Sequence, residues 1–335
     1  MTKARQNFDH LAWSLNEEAW KKSYKRLRLK STCRQVESFV QDVCDQHASF
    51  VPPVTFGGYN VLYRVRCEGD GFDTIVRRPC PDLVQFPAEK TLYEAATMSY
   101  LAKHTEIPVP MLFFYTSSSS SSEIGPAMIL PYIESRRNMS DALAKPDQDP
   151  EETQVLDPGI HEEDLIRLYW KMCKLLIQLF KPSLDKIGSL VERNENHSVA
   201  GRPITQNMDD MVYMASIPRS VFPPSNQVYQ RADEWYTVSA SMHMAQLLFQ
   251  HNDLVQSEDD CRNKYVARYL FHSLAKKGQL STFGFLEDNW SAQSKFLELS
   301  CPMPNRTGSF RLWCDDLRPH NILLNLSDNI EAALD

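Results

Sequence analysis

The sequence of 335 residues predicts an α+β protein in which an antiparallel sheet precedes a larger helical region. Three observations support this prediction. Short segments rich in β-branched and aromatic residues occupy the first third of the chain, apolar residues recur at helical spacing later, and the chain is too long for one simple core. The predicted divisions are a polar arm (1–30), a β-rich part with one helix (31–134), a linker or insertion (135–160) and a helical part (161–335).

Composition and charge restrict the class of protein. Hydrophobic residues make up 42% of the chain and charged residues 24%, which is typical of globular proteins. A net charge of −7 disfavours binding to nucleic acid, because neutralising phosphates requires a basic surface. No apolar run reaches the roughly 18 residues of a membrane helix, and the N-terminus lacks a signal-peptide pattern. The cysteines are scattered without a C-x-x-C pair, so we expect a cytoplasmic protein that does not contact a membrane.

The first elements follow from local patterns. Residues 1–30 are polar and basic, which is typical of a solvated arm or an exposed helix face. Helical spacing of apolar residues predicts a helix from Cys33 to Cys44. Two strands are predicted at 59–66 and 72–76. The Gly-Asp-Gly sequence at 69–71 joins them as a hairpin turn, because glycine tolerates positive φ.

The rest of the β-rich part contains one helix and two further extended segments. A helix is predicted to begin at Pro87 and to run to Lys103, since proline suits the first helical position. The segment 107–115 is bounded by prolines and extended, and 117–122 is a flexible run of serines. The nearly wholly apolar segment 125–134 predicts a buried strand.

Helices dominate the second half of the prediction. The acidic stretch 145–164 is interpreted as a solvent-exposed linker. Apolar residues at helical spacing then predict three helices, around 165–179, 235–249 and 265–274. Gly278 follows the last of these and suits a helix C-cap.

The segment 312–325, LWCDDLRPHNILLN, interrupts an apolar run with polar residues. Asp316 and Asn321 stand on either side of a proline, so one tight loop can present both. A carboxylate can orient a hydroxyl nucleophile and accept its proton, and an amide oxygen can bind a divalent cation. A turn at 327–329 would return Asp335 beside Asn321 as a second oxygen ligand for Mg²⁺. The pattern therefore predicts a site for a metal and a phosphate.

These residues and their order resemble the aminoglycoside phosphotransferase (choline kinase-like) family, especially its fungal members. The family's loop reads roughly HGDxxxxN and is followed by an IDW segment; here Cys314 replaces the histidine. The resemblance implies a bilobal protein-kinase-like fold and transfer of the γ-phosphate of ATP to a hydroxyl of a small molecule. It implies that Asp316 is the catalytic base and that Asn321 and Asp335 bind Mg²⁺.

The other matches follow in the family's order over roughly residues 30–335 and imply an ATP site in the β-rich part. A glycine pair stands at the loop that covers the nucleotide. An arginine, either Arg77 or Arg78, stands where the phosphate-pairing lysine is usual, and a helical glutamate pairs with this base. The end of a strand contacts adenine. The residues assigned in this way are Gly57, Gly58, Arg77, Glu94, Leu130 and Tyr132.

The family continues past Asp335 with helices that complete the helical lobe, so the resemblance implies a C-terminally truncated chain. Helices between 161 and 276 would then expose apolar faces, and we expect the chain to self-associate. Two alternatives stay open. One is a catalytically inactive or truncated pseudokinase that acts as a nucleotide- or partner-binding module. The other is a metal hydrolase that uses Asp315, Asp316 and His320.

Overall fold

The fold is mixed α and β, with an antiparallel five-stranded sheet, which confirms the predicted α+β class. Among the described residues, no helix combines the length and the apolar character that a membrane span requires. The computed structural model describes residues 2–69, 73–117, 123–146, 154–250, 254–280 and 310–334, with side chains from residue 14 onward.

Eight α-helices lie within these residues, and five of them were predicted from apolar spacing. The helix α6 was not predicted, although Met208, Met211 and Ala215 stand at helical spacing; it is short and follows a proline-containing loop. The helices are α1 (Thr2–Leu27), α2 (Lys30–Cys44), α3 (Pro87–His104), α4 (Met139–Leu143), α5 (Glu162–Phe180), α6 (Gln206–Ala215), α7 (Ala232–Phe249) and α8 (Glu258–Lys276).

The strands form three antiparallel sheets, with the orders β1-β2-β3-β5-β4, β10-β9-β6 and β7-β8. The strands are β1 (Ala48–Phe56), β2 (Asn60–Cys67), β3 (Asp73–Pro79), β4 (Phe114–Thr116), β5 (Ala127–Pro131), β6 (Arg137–Asn138), β7 (Ser189–Arg193), β8 (Asn196–Gly201), β9 (Ile322–Leu324) and β10 (Ile330–Ala333).

The five-stranded sheet has an apolar layer on each face. Along β2 every second side chain is buried, and Val61, Tyr63 and Val65 pack with α2 on one face. On the other face, Ala95 of α3 packs against Met128 and Leu130 of β5. The predicted pairing of β2 with β3 is confirmed, while most of the predicted turn between them lies outside the described residues.

The N-terminal arm predicted over residues 1–30 is mostly helix α1, and its end packs on the sheet. The rings of Trp20 and Tyr24 lie 6.2 and 4.3 Å from the ring of Phe56. Leu27 is 2% exposed, and its carbonyl accepts a hydrogen bond from the Tyr63 hydroxyl at 2.8 Å. The sequence pattern did not indicate this apolar face, because the abundant lysines and arginines occupy the other sides of the helix.

The region predicted as helical also contains the hairpin β7-β8. Its two-residue turn is formed by Asn194 and Glu195, both with positive φ (48° and 64°), as a type I′ turn requires. Leu190 and Val199 pack against Ala96 of α3, so the hairpin connects this region to the helix that packs on the five-stranded sheet.

The predicted strand-turn-strand after the polar loop is confirmed as β9-β10. Its turn includes Asp328 at φ 55°, whose amide donates to the Asn325 carbonyl at 2.9 Å. The predicted linker contributes β6, which pairs with β9. Asp328 is 9% exposed and forms a bidentate ion pair with Arg137 of β6, at 3.0 Å to each oxygen. This pair holds the hairpin against the segment that leaves the large sheet.

The expected exposed apolar faces are present on α5 and α8. Each helix contacts the protein through few side chains, such as Leu168 and Leu175 of α5, and leaves aromatic residues on the outside. The exposed apolar residues of these two helices include Ile166, Tyr169, Trp170, Leu176, Ile177, Tyr265, Val266, Tyr269 and Leu270.

Gly201 is required where β8 passes the ring of Tyr93, since a Cβ there would lie within 2.5 Å of the Tyr93 hydroxyl oxygen. This hydroxyl donates to the Ser225 carbonyl at 3.2 Å, so the ring has little freedom to move. We expect Gly201→Ala to lower the free energy of unfolding by about 1–3 kcal/mol in urea denaturation. Gly58→Ala is the control, because a Cβ there meets no atom within 4 Å. Equal stability of the two variants would contradict this close packing.

Candidate active site

The loop between Cys314 and β9 brings the two predicted residues together. A single 3₁₀ turn, Pro319–Asn321, follows Asp316, because proline suits the first position of such a turn. The Asn321 side-chain amide donates to the Asp316 carbonyl at 2.9 Å and lies 3.4 Å from a carboxylate oxygen. Asn321 is 8% exposed, so its side chain is held within the loop while the Asp316 carboxylate reaches the surface.

Arg318 was not predicted as part of this site, yet it pairs with the Asp316 carboxylate. Its Nη2 donates to Asp316 Oδ2 at 2.7 Å, and its Nε contacts the other oxygen. The Arg318 side chain is 68% exposed and the Asp316 side chain 19%, so solvent screens the arginine's side of this pair more than the carboxylate's.

The hairpin returns the end of the chain to Asn321, as predicted. The Leu334 amide donates to the Asn321 carbonyl at 2.9 Å. The Leu334 carbonyl accepts a hydrogen bond from Arg77 Nη1, also at 2.9 Å. Asp335, the predicted second metal ligand, lies outside the described residues.

Arg77, not Arg78, faces this hairpin. Strand residues alternate between faces, so Arg78 points to the opposite side of β3, where burial lowers its pKa. Arg77 is 8% exposed, and its Nη2 lies 3.7 Å from Glu94 Oε1. In the amide orientation that satisfies both groups, Asn60 accepts from Arg77 Nη2 at 2.9 Å and from Nε at 3.2 Å. Arg77 therefore connects the sheet, α3 and the hairpin.

A second cation, Lys90, shares the Glu94 carboxylate. Lys90 lies one turn before Glu94 on α3, and its ammonium contacts the same oxygen that faces Arg77. Its side chain is 16% exposed. The spacing of four residues between opposite charges on a predicted helix could have identified this pair. Two cations, Arg77 and Lys90, therefore share one carboxylate on α3.

The predicted glycine pair forms the turn between β1 and β2. The Gly57 amide donates to the Asn60 carbonyl at 2.8 Å. Tyr59, the next residue, donates its hydroxyl to Asp210 of α6 at 3.0 Å. Burial and the carboxylates of Asp210, Asp209 and Asp316 raise the pKa of Tyr59 to about 12. The glycine turn is thus held against α6 by a hydrogen bond that sequence reasoning did not identify.

Asp209, which precedes Asp210 in the chain, has a buried carboxyl group. It is 4% exposed and accepts a hydrogen bond from the Gln85 amide at 2.6 Å. Burial raises the pKa of Asp209 to about 6, although this hydrogen bond and the nearby Lys90 act in the opposite direction. The folded protein therefore holds this proton more tightly than the unfolded chain, whose value is 3.8.

Protonation of Asp209 should make stability depend on pH. Below pH 3.8 the raised pKa does not change the free energy of unfolding, because the carboxyl is protonated in both states. Between pH 3.8 and about 6 it lowers the free energy of unfolding progressively, and above that range the loss stays constant. We expect Asp209→Asn to raise the free energy of unfolding at pH 7 by up to ~3 kcal/mol, with no difference near pH 3.5. Denaturation across pH checks this, with Asp42→Asn on the exposed side of α2 as control. A constant difference between pH 3.5 and 7 would contradict it.

The segment predicted to contact adenine follows β5. Leu130 is buried in the sheet, paired with Ile75, while Tyr132 is 37% exposed. The Tyr132 amide donates to the Asp73 carbonyl at 2.8 Å, and its ring stacks under Arg64 at 3.8 Å. The Tyr132 amide, one residue after the end of β5, is therefore already used by a hydrogen bond to β3.

The structure does not assemble the proposed hydrolase site. Asp315 accepts a hydrogen bond from the Trp313 indole at 2.9 Å, and His320 faces the Asn138 amide at 3.5 Å. Within the described ranges, no group of three His, Cys, Asp or Glu side chains is placed to hold a metal ion. The hydrolase interpretation therefore has no support from the geometry.

Comparison with known proteins identified no relative. No family model, no curated protein sequence and no solved structure matches this chain.

Proposed function

We propose that the protein is an ATP-dependent phosphotransferase with a bilobal kinase-like fold that acts on a hydroxyl of a small molecule. The observation that supports this proposal most directly is that the backbone of Leu334 forms hydrogen bonds with both Asn321 and Arg77. Leu334 thereby connects the predicted metal-binding loop to the predicted phosphate-binding strand. A cytoplasmic location, where ATP and Mg²⁺ are abundant, agrees with this activity.

The residues present fit a nucleotide at several points. Neither Gly57 nor Gly58 has a positive φ, and a Cβ at Gly58 would meet open space, so packing within the chain does not require glycine there. Close approach of a ligand to the backbone is a reason for glycine at such a turn. Lys90 and Arg77 provide positive charge for phosphate oxygens, and the Asn321 amide oxygen and Asp335 would bind Mg²⁺.

In this proposal, Asp316 orients the acceptor hydroxyl and takes its proton. When ATP is bound, its γ-phosphoryl group passes to the acceptor oxygen, ADP leaves with the electron pair of the broken P–O bond, and the proton passes to the Asp316 carboxylate. Arg318 must move aside, which its exposed side chain permits. Arg77, braced by Glu94, positions the hairpin that carries Asp335, and the Tyr59 turn covers the site.

A nucleotide- or partner-binding module without catalysis is the second candidate. It is favoured by the pairing of both Asp316 oxygens with Arg318 and by the engagement of Arg77 with Leu334, Asn60 and Glu94. If Arg318 does not release Asp316, the carboxylate cannot accept the hydroxyl proton, and if Arg77 keeps its partners, it cannot bind a phosphate.

Calorimetric titration of ATP into the full chain, with and without Mg²⁺, tests the proposed function. We expect saturable binding that requires Mg²⁺. Asn321→Leu should weaken the Mg²⁺-dependent binding by about tenfold or more, whereas Asn321→Asp retains an oxygen ligand and should bind. Thermal melting of each variant establishes that it is folded. Absence of ATP binding to the wild-type chain, or binding indifferent to Mg²⁺, would contradict the phosphotransferase proposal.

A further inference from the structure

A cavity of about 190 Å³ lies between α6, α7 and α8. Its polar lining includes Asp210 from α6, His243 and Gln246 from α7, and Arg268 from α8. An engineered apolar cavity of about 150 Å³ binds benzene, so this volume suits a small organic molecule. The polar side chains make a hydroxylated ligand more suitable than a hydrocarbon.

Arg268 makes one end of the cavity positive. Its Nη1 donates to the Gln250 side-chain oxygen at 3.0 Å, and in the part of the chain that the structure describes no carboxylate pairs with it. Burial lowers the pKa of Arg268, which shows that its charge is partly removed from water. Lys264 also lines the cavity, but it is paired with Asp260 at 2.8 Å. A guanidinium has five donors, so Arg268 retains several for a ligand.

His243 remains neutral beside this arginine. Burial and then the charge of Arg268 lower the pKa of His243, so at neutral pH the imidazole is uncharged and can accept or donate a hydrogen bond. The anionic group of a ligand would therefore pair with Arg268 rather than with His243, while His243 and Gln246 can bind hydroxyl groups.

Asp210 connects the cavity to the glycine turn of the candidate active site. It lines the cavity and also accepts the hydrogen bond from the Tyr59 hydroxyl at 3.0 Å. An anionic group would be repelled by Asp210 and attracted by Arg268, whereas a hydroxyl can donate to Asp210. A ligand with one anionic end would thus direct its hydroxyl end towards Asp210.

We infer that this cavity binds the phosphate acceptor and that the acceptor is a small hydroxycarboxylate, with its carboxylate on Arg268 and its hydroxyl beside Asp210. The identification of this ligand as the phosphate acceptor rests on the proposed function, whereas binding of the hydroxycarboxylate itself can be measured without ATP. A bidentate guanidinium–carboxylate pair supplies both the affinity and the orientation.

Calorimetric titration of glycerate and of glycerol into the full chain, without nucleotide, tests this site. Glycerol has the same carbon skeleton without the carboxylate. We expect saturable glycerate binding to the wild type, binding at least about tenfold weaker for Arg268→Gln, and still weaker or no binding of glycerol. Arg262→Gln is the matched control, since Arg262 lies on α8 with its side chain 66% exposed and pairs with Glu258 and Asp259.

Each result decides the inference. Equal binding of glycerate and glycerol, equal binding to the wild type and Arg268→Gln, or no glycerate binding to the wild type would overturn it. If Arg268→Gln does not fold, Arg268→Lys keeps the charge without the planar fork and should weaken glycerate binding about tenfold; unchanged binding would again overturn the site. Arg268-dependent glycerate binding without ATP binding would retain the site and reject the phosphotransferase, and the reverse pattern would do the opposite.

Discussion

Replacing Asp316 with asparagine is expected to lower phosphoryl transfer by about 10²- to 10⁴-fold, the range that a general base contributes. The substitution keeps the size of the side chain and removes the charge that accepts the hydroxyl proton. The affinity for ATP should change little, because Asn321 donates to the Asp316 backbone carbonyl, which the variant retains. The measurement is ADP release with a set of hydroxyl acceptors that includes glycerate, together with the ATP titration.

Asp315→Asn is the control for this experiment. Asp315 is the next carboxylate in the chain, it is exposed, and it accepts from the Trp313 indole rather than facing the loop. It should retain nearly full transfer. Wild-type activity of Asp316→Asn would reject Asp316 as the base, and absence of transfer by the wild-type chain would favour the binding module. An equal loss in both variants would show that the effect is not specific to Asp316.

Replacing Arg202 with methionine is expected to lower the free energy of unfolding by about 3 kcal/mol. Arg202 is 5% exposed and pairs bidentately with Glu89 of α3, at 2.8 and 2.9 Å. Its Nη1 donates to the Pro223 carbonyl at 2.6 Å, and its guanidinium lies 4.3 Å from the Phe86 ring centroid. Methionine fills much of the volume but leaves Glu89 without its partner and the Pro223 carbonyl without a donor.

Urea denaturation measures this loss, and two further variants interpret it. Arg262→Met removes an exposed arginine and should change stability by less than about 0.5 kcal/mol. The double variant Glu89→Gln with Arg202→Met no longer buries an unpaired charge and should recover part of the loss. If Arg202→Met is as stable as Arg262→Met, this pair does not anchor α3.

The predicted elements with strong local signals were confirmed. Pro87 at the first position and sustained apolar spacing predicted α3, and the alternating segment with its turn at 327–329 predicted β9-β10. The proline between Asp316 and Asn321 indicated a tight loop, and the structure brings the two residues into contact. These features are determined by neighbours within a few residues, so the sequence contains the information to predict them.

Several local signals were available and were not used. The Asn194-Glu195 turn stands between two segments of β-forming residues and could have indicated β7-β8. The spacing of Lys90 and Glu94 could have indicated their pair. Helix α1 was predicted only as an arm or an exposed helix face, because its charged residues are more numerous than its apolar ones.

The sequence by itself therefore determined the α+β class, most helices, the hairpin β9-β10 and the loop that joins Asp316 to Asn321. The tertiary structure alone decided that Arg77 faces the hairpin, that Tyr59 binds Asp210 across 151 positions, and that the cavity at Arg268 adjoins this bond. The physical reason is that periodicity reports which face of an element is apolar but not which element covers it. Contacts between distant segments depend on packing, and packing exists only once the elements have assembled.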